Sequence, residues 1–240
     1  MSRAADRTWV LDACEEPLRS ALYQPLVAAM ARDGFVIAQL GQSLDGRIAT
    51  EDGHSHYING PESLDHLHRL RALVDAVIVG AGTVAHDDPQ LTTRRVPGPN
   101  PVRVVIDPSL RLDRHARIFD QAAPTLTVIA ERTVPDPTIA PEQLVRVTTA
   151  KGGLPPPLIL AALQRRGLRS FLVEGGAATV SAFIAAGVVD RLQLMVAPLI
   201  LGSGRPGLQL PRIARVDEGL RPRLSVHRLG DDVLFDCCLR

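Results

Sequence analysis

Short apolar runs recur along the chain, each closed by glycine, proline or an acidic residue. Phe35–Leu40, Val74–Val79, Val102–Ile106, Leu126–Ala130, Leu144–Val147 and Phe171–Val173 read as strands. Val74–Val79 has the unbroken apolar character of a parallel strand covered on both faces. Leu192–Leu201 is a further apolar run, ending in Gly202-Ser203-Gly204. Between the strands the period lengthens. Leu18, Leu22, Leu26 and Met30 fall four apart, so 17–32 reads as a helix with Pro17 in its first turn and Gly34 as its stop. Pro61 opens a second helix through Leu73, with Leu64, Leu67 and Leu70 toward the core and Arg69 and Arg71 elsewhere on its surface. Pro155–Arg166, stopped by Gly167, and Ala177–Ala186, stopped by Gly187, are two more helices. Leu224–Arg228 and Val233–Cys238 flank Gly230-Asp231 and predict a closing hairpin. The expected class is α/β: a mixed, mainly parallel sheet flanked by helices, with an antiparallel C-terminal hairpin. Met1–Glu15 reads as a loosely docked extension, with Trp9-Val10-Leu11 as a small anchor.

Three glycine turns follow apolar runs: Gly80-Ala81-Gly82-Thr83, Glu174-Gly175-Gly176 and Gly202-Ser203-Gly204. Glycines at a strand-to-helix turn let backbone N–H groups approach a phosphate. The plainer reading, compact connections only, stays open at each. Several such turns, with Arg71, Arg94 and Arg111 scattered around them, point to one ligand with several phosphates or to two phosphorylated ligands. The polar loop from Glu51 through Ser55 to Tyr57-Ile58-Asn59-Gly60 has the character of a binding loop.

Composition removes competing classes. Hydrophobic residues make up 45% of 240, ample for a core, and a formal net charge of +1 with no basic run argues against a nucleic-acid partner. No uninterrupted apolar stretch reaches the roughly 20 residues of a bilayer span. Cys14, Cys237 and Cys238 give no disulfide framework, so a reduced, cytoplasmic protein is expected. His66 and His68 lie two apart on a helix and point apart, and no metal-ligand spacing accompanies them or His54 and His56, so no metal is expected. The zinc-deaminase pair of motifs, the hydrolase elbow, the Walker loop and the strict dinucleotide fingerprint are all missing.

Ser43-Leu44-Asp45-Gly46-Arg47-Ile48-Ala49, Gly80-Ala81-Gly82-Thr83-Val84, Asp87-Asp88-Pro89-Gln90-Leu91-Thr92, Val105-Ile106-Asp107, Val173-Glu174-Gly175-Gly176 and Ala197-Pro198 with Gly202 resemble the reductase domain of bifunctional riboflavin biosynthesis proteins. That domain has a dihydrofolate-reductase-like fold. The likeness runs from Phe35 to the C-terminus, which implies a helical extension over 1–33 and one reductase domain over 34–240, in stand-alone form. The resemblance implies NADPH-dependent reduction of the ribosyl group of an aminopyrimidine ribose 5′-phosphate to ribityl, with hydride delivered to the sugar C1. It implies substrate contacts from Ser55, Arg71, Leu91, Arg94 and Glu174. It implies cofactor contacts from Gln42, Tyr57, Gly80, Thr83, Asp87, Gly175, Gly176, Leu201 and Gly202. Tyr57 stands where many relatives carry Trp, and Gly80-Ala81-Gly82 replaces a more polar version. Arg111 is the cation expected at the extra phosphate of NADPH. Glu174 and Asp45 are the carboxylates considered for steering or protonating the substrate. A homodimer is expected, through Val188–Leu201 and the terminal hairpin. The alternatives are a reductase of another heterocycle, such as a pterin, and a non-catalytic nucleotide-binding relative.

Overall fold

The computed structural model describes residues 2–3, 9–10, 17–30, 34–56, 58–151 and 153–240. In chain order the elements are β1 (Ser2–Arg3), β2 (Trp9–Val10), α1 (Pro17–Met30), β3 (Phe35–Ser43), β4 (Arg47–Ala49), α2 (Pro61–Leu73), β5 (Ala76–Gly80), α3 (Ala81–Asp87), β6 (Val102–Ile106), β7 (Thr125–Ala130), β8 (Leu144–Val147), α4 (Pro156–Gln164), β9 (Ser170–Val173), α5 (Ala177–Ala185), β10 (Arg191–Ala197), β11 (Arg205–Pro206), β12 (Arg223–Leu229) and β13 (Asp232–Cys238). Most of the expected extension Met1–Glu15 and the end of the first helix at 31–32 lie outside the described residues.

Nine strands form one sheet in the order β12-β13-β10-β3-β9-β5-β6-β7-β8. From β10 to β8 every neighbouring pair is parallel; β13 and β12 close the other edge antiparallel. This is the mixed, mainly parallel sheet anticipated above. Alternation along each strand divides the core in two. Val36, Ala38, Ile78, Val104, Phe171 and Val173 face α4 and α5. Ile37, Val77, Val79, Val105 and Leu172 face α1 and α2, with Leu22, Tyr23, Leu26 and Met30 of α1 packed there too.

Several boundaries and faces differ from expectation. The run Leu192–Leu201 is a strand only to Ala197, because Pro198 has no N–H to continue the ladder. Helix α2 exposes Leu64 and buries Ser63, His66, His68 and Arg71 instead. Arg71 is therefore not on the surface: its face of α2 meets polar partners described below. Part of the region expected at a dimer surface is interior. Strand β10 lies between β3 and β13, so Val189, Leu192, Met195 and Ala197 are buried within the chain. Leu199, Ile200 and the edge-strand residues Leu224 and Val226 stay exposed. No helix among the described residues is long and apolar enough to cross a membrane.

Candidate active site

Connections leave the carboxyl ends of β5 and β9 in opposite directions. After β5 the chain moves on to β6; after β9 it crosses back over β3 to β10. Adjacent parallel strands whose connections diverge leave a crevice beyond their carboxyl ends, where α/β sheets place ligands. Gly80 ends β5, and Glu174 follows β9 directly, its N–H donating to the Ile78 carbonyl at 2.9 Å.

Arg71, from the buried face of α2, reaches Glu174 in a bidentate pair. Its Nε donates to Oε1 at 2.8 Å and its Nη2 to Oε2 at 2.7 Å, with both side chains almost fully buried. Nη1 donates to the Thr92 carbonyl at 3.2 Å. The pair thus ties α2, β9 and the segment after α3 together. Each carboxylate oxygen keeps a second lone pair, so Glu174 can still accept a hydrogen bond from a ligand amino group.

The segment 88–94 after α3 carries two non-glycine residues in left-handed conformations, Asp88 (φ 38) and Leu91 (φ 52). Such backbone costs about 1–2 kcal/mol per residue and persists only where surroundings enforce it. Here Leu91 is buried in the core beneath α2, Thr92 accepts from Arg71, and the Arg94 N–H donates to His68 Nδ1 at 3.1 Å. The His68 proton must therefore sit on Nε2, which faces Arg71 Nη1 at 3.4 Å, donor against donor. Burial first, then the Arg71 and Arg94 charges, pull this imidazole down to about 3. Arg94 is lowered too, by burial and then by Arg71. His68 is a site residue that sequence reading missed; its signal was a histidine three residues before Arg71 on one helix.

The glycine turns have a structural explanation. Thr83 of α3 sits on the β9–α5 turn: its Oγ1 accepts from the Gly176 N–H at 2.8 Å. A Cβ on Gly175 (φ 90) would lie 2.9 Å from Thr83 Oγ1, and one on Gly80 would lie 2.5 Å from Thr179 Oγ1. The two strand-to-helix turns interlock through these threonines, and only glycine permits the approach. The third bend is latched by Asp45. Its carboxylate accepts the Ser43 hydroxyl at 2.6 Å, the Leu201 N–H at 3.1 Å and the Gly202 N–H at 2.8 Å. The Ser43 bond, then the Leu201 amide, hold Asp45 down to about 2. A carboxyl so held stays ionised near neutral pH, so the proton-donating role considered for Asp45 does not suit this geometry. The same latch uses the amides of Leu201 and Gly202 internally.

The remaining expected residues are more dispersed. Gln42 lies at the end of β3 with its Oε1 against Gly207, where an added Cβ would come to 2.8 Å. Ser55 is half-buried in the β4–α2 loop, Asp87 is exposed at the end of α3, and Arg111 is exposed in the β6–β7 loop. The stacking position Tyr57 lies outside the described residues.

A nicotinamide dinucleotide needs amide donors for its pyrophosphate and close backbone approach. The first turn of a helix leaves its N–H groups without intrahelical acceptors. At α5 those amides include Ala177 and Ala178, directly after Gly175-Gly176. The residues therefore fit the group at the α5 turn, while the Leu201–Gly202 bend is already filled by Asp45.

Comparison with known proteins identifies the family. Residues 34–234 match the RibD C-terminal domain. The chain is 35% identical over 210 residues to a 2,5-diamino-6-ribosylamino-4(3H)-pyrimidinone 5′-phosphate reductase of Methanothermobacter thermautotrophicus, covering 84% of this chain and 96% of that protein. It is 34% identical over 225 residues to the riboflavin biosynthesis protein RibD of Aquifex aeolicus, covering 92% of this chain and 62% of that one. Among solved structures, a deaminase/5-amino-6-(5-phosphoribosylamino)uracil reductase of Thermotoga maritima superposes with a TM-score of 0.72 at 26% identity, over 90% of this chain and 59% of that one. RibD of Acinetobacter baumannii superposes with a TM-score of 0.74 at 25% identity, over 92% and 62%. The chain thus spans about half to three fifths of the RibD proteins it matches and nearly all of the Methanothermobacter reductase. With residues 34–234 matched and 35% identity over most of both chains, this chain belongs to the RibD C-terminal domain family of reductases.

Proposed function

We propose that the chain uses NADPH to reduce the ribosyl group of an aminopyrimidine ribose 5′-phosphate to ribityl. The observation that carries the reading is the buried Arg71–Glu174 pair, placed at the switch point between the Arg94 segment and the α5 turn. The archaeal relative is named for a substrate of this chemistry. The bound coenzyme supplies the hydride; the chain supplies position, which is the larger part of such catalysis. Arg94, exposed two residues after Thr92, is the cation for the sugar phosphate in this reading. Glu174, gripped from one side by Arg71, accepts from the pyrimidine amino groups and so sets the C1′ face toward the coenzyme. The substrate ring-opens to an imine at C1′, hydride adds to that carbon, and the exocyclic nitrogen takes a proton from water. Arg111 is the proposed partner of the NADPH 2′-phosphate, and NADH at equal concentration is the comparison that tests it. The thiols of Cys237 and Cys238 are free, which suits a reducing cytoplasm.

The deciding assay is NADPH oxidation with the deaminated and the non-deaminated ribosylaminopyrimidine phosphate, and with a dihydropterin as a third arm. Turnover with either pyrimidine and none with the pterin is expected. Oxidation with the pterin alone would replace the reading with a pterin reductase. Coenzyme binding without turnover in any arm would make the chain a non-catalytic relative.

We also propose a homodimer formed through the residues of the expected region that stay exposed, Leu199, Ile200, and Leu224 and Val226 on the open edge strand β12. Sedimentation of the chain at micromolar concentration should give twice the monomer mass; a monomer at that concentration would remove this interface.

A further inference from the structure

Arg103, the second residue of β6, is fully buried. Its guanidinium joins two connections, the one between α3 and β6 and the one between β6 and β7. Nη1 donates to the Gln90 carbonyl at 3.3 Å, the Arg117 carbonyl at 3.4 Å and Asp120 Oδ1 at 2.7 Å. Nη2 donates to the carbonyls of Asp120 and Ala123, both at 2.5 Å. Four of these five acceptors are backbone carbonyls, so the side chain satisfies loop carbonyls that no strand ladder reaches. The partners reinforce the same join. The Arg117 N–H donates to Asp88 Oδ1 at 2.7 Å, and Gln90 Nε2 donates to Asp120 Oδ2 at 3.2 Å. Gln90 sits between Asp88 and Leu91, the two residues held in left-handed backbone. The clamp therefore grips the strained bend at its centre, four residues before Arg94.

We propose that Arg103 is a positioning residue for substrate binding: it fixes the bend 88–91 and through it places Leu91 and Arg94 at the site. This rests on the proposed pyrimidine reductase activity. Asp87 belongs to α3 and is held by the helix, so the coenzyme side should feel the clamp less than the substrate side. Lysine at 103 keeps the charge but carries its donors on one nitrogen and cannot span Gln90, Asp120 and Ala123 together.

Arg103→Lys should raise KM for the ribosylaminopyrimidine phosphate roughly tenfold, with the Kd for NADPH within about twofold of the parent. Combined with Arg94→Ala, it should add little to the loss from Arg94→Ala alone, because both act through one contact. Asp120→Asn leaves the buried arginine in place and loosens one arm; it should shift the same KM in the same direction by less, and it serves if Arg103→Lys does not fold. Hydrogen exchange of amides 88–94, faster in either variant, reads the clamp without turnover. If the parent chain turns over no pyrimidine, the activity reading falls and exchange alone decides the clamp. Additive losses in the double variant, or unchanged exchange over 88–94 in folded variants, would overturn the proposal.

Discussion

Replacing Glu174 with Gln should lower kcat with the ribosylaminopyrimidine phosphate by about two orders of magnitude while NADPH still binds. The charge of Glu174 is matched by Arg71 through two bonds, both groups almost fully out of water. Gln has nearly the same shape but one acceptor oxygen, and its amide N–H₂ then faces a guanidinium N–H. Arg71 is left as a buried cation without a counter-charge, a loss of about 3–5 kcal/mol when one partner of such a pair is removed. Part of that will appear as lower stability, and part as movement of Arg71 away from the Thr92 carbonyl, which loosens the Arg94 segment. The α5 turn is held independently by Thr83 and Gly176, so the coenzyme side is spared. Steady-state kinetics and a fluorescence titration with NADPH separate the two. A Glu174→Gln chain with parental kcat would show that the carboxylate is structural only. Parallel loss of NADPH binding would show that the two halves of the site are not independent.

Much of the fold was legible because most strands of the central sheet are short, largely apolar runs with a terminator, and α1, α2, α4 and α5 each have a proline entry or a glycine exit. The end of β10 was legible too, in Pro198, but the apolar residues beyond it masked the signal. What the sequence hid were the polar faces. His66 and Arg71 look like surface residues of an amphipathic helix until Tyr23, Gln193 and Glu174 arrive from 43, 127 and 103 positions away to satisfy them. The glycine turns were located but half explained. Their glycines admit Thr83 and Thr179 as well as any phosphate, and the threonine partner of Gly176 lies 93 positions upstream. Arg103 was read as part of an apolar strand, and nothing local marks it as the join of two loops.

Acid should weaken the fold well before its carboxylates protonate. His66 is fully buried, with Nδ1 accepting from the Tyr23 hydroxyl at 2.7 Å and Nε2 donating to Gln193 Oε1 at 2.7 Å. Burial pulls it from its ordinary 6.5 down to about 4, and His68 falls to about 3. Above pH 6.5 both states leave these rings neutral and stability does not depend on them. Below it the unfolded chain takes up protons that the folded chain refuses, so stability falls with pH until the folded values are reached. Each ring contributes up to about 1.4 kcal/mol per pH unit, so the pair removes up to about 2.7 kcal/mol per unit between pH 6.5 and 4. Against a total stability on the order of 5–15 kcal/mol, a loss of up to about 5 kcal/mol by pH 4.5 is a large fraction of the whole. The ionised carboxylate of Asp45, held near 2, adds no slope in this window, since its stabilisation is fully present there and is lost only as pH falls below 3.8. Urea unfolding at pH 7.5, 6.0 and 5.0 measures the slope. His66→Gln, which offers an amide to the same two partners but does not titrate, should halve it. Equal unfolding free energies at pH 7.5 and 5.0 would mean that both imidazoles accept protons inside the fold, and that the donor-to-donor contact between His68 and Arg71 relaxes at little cost.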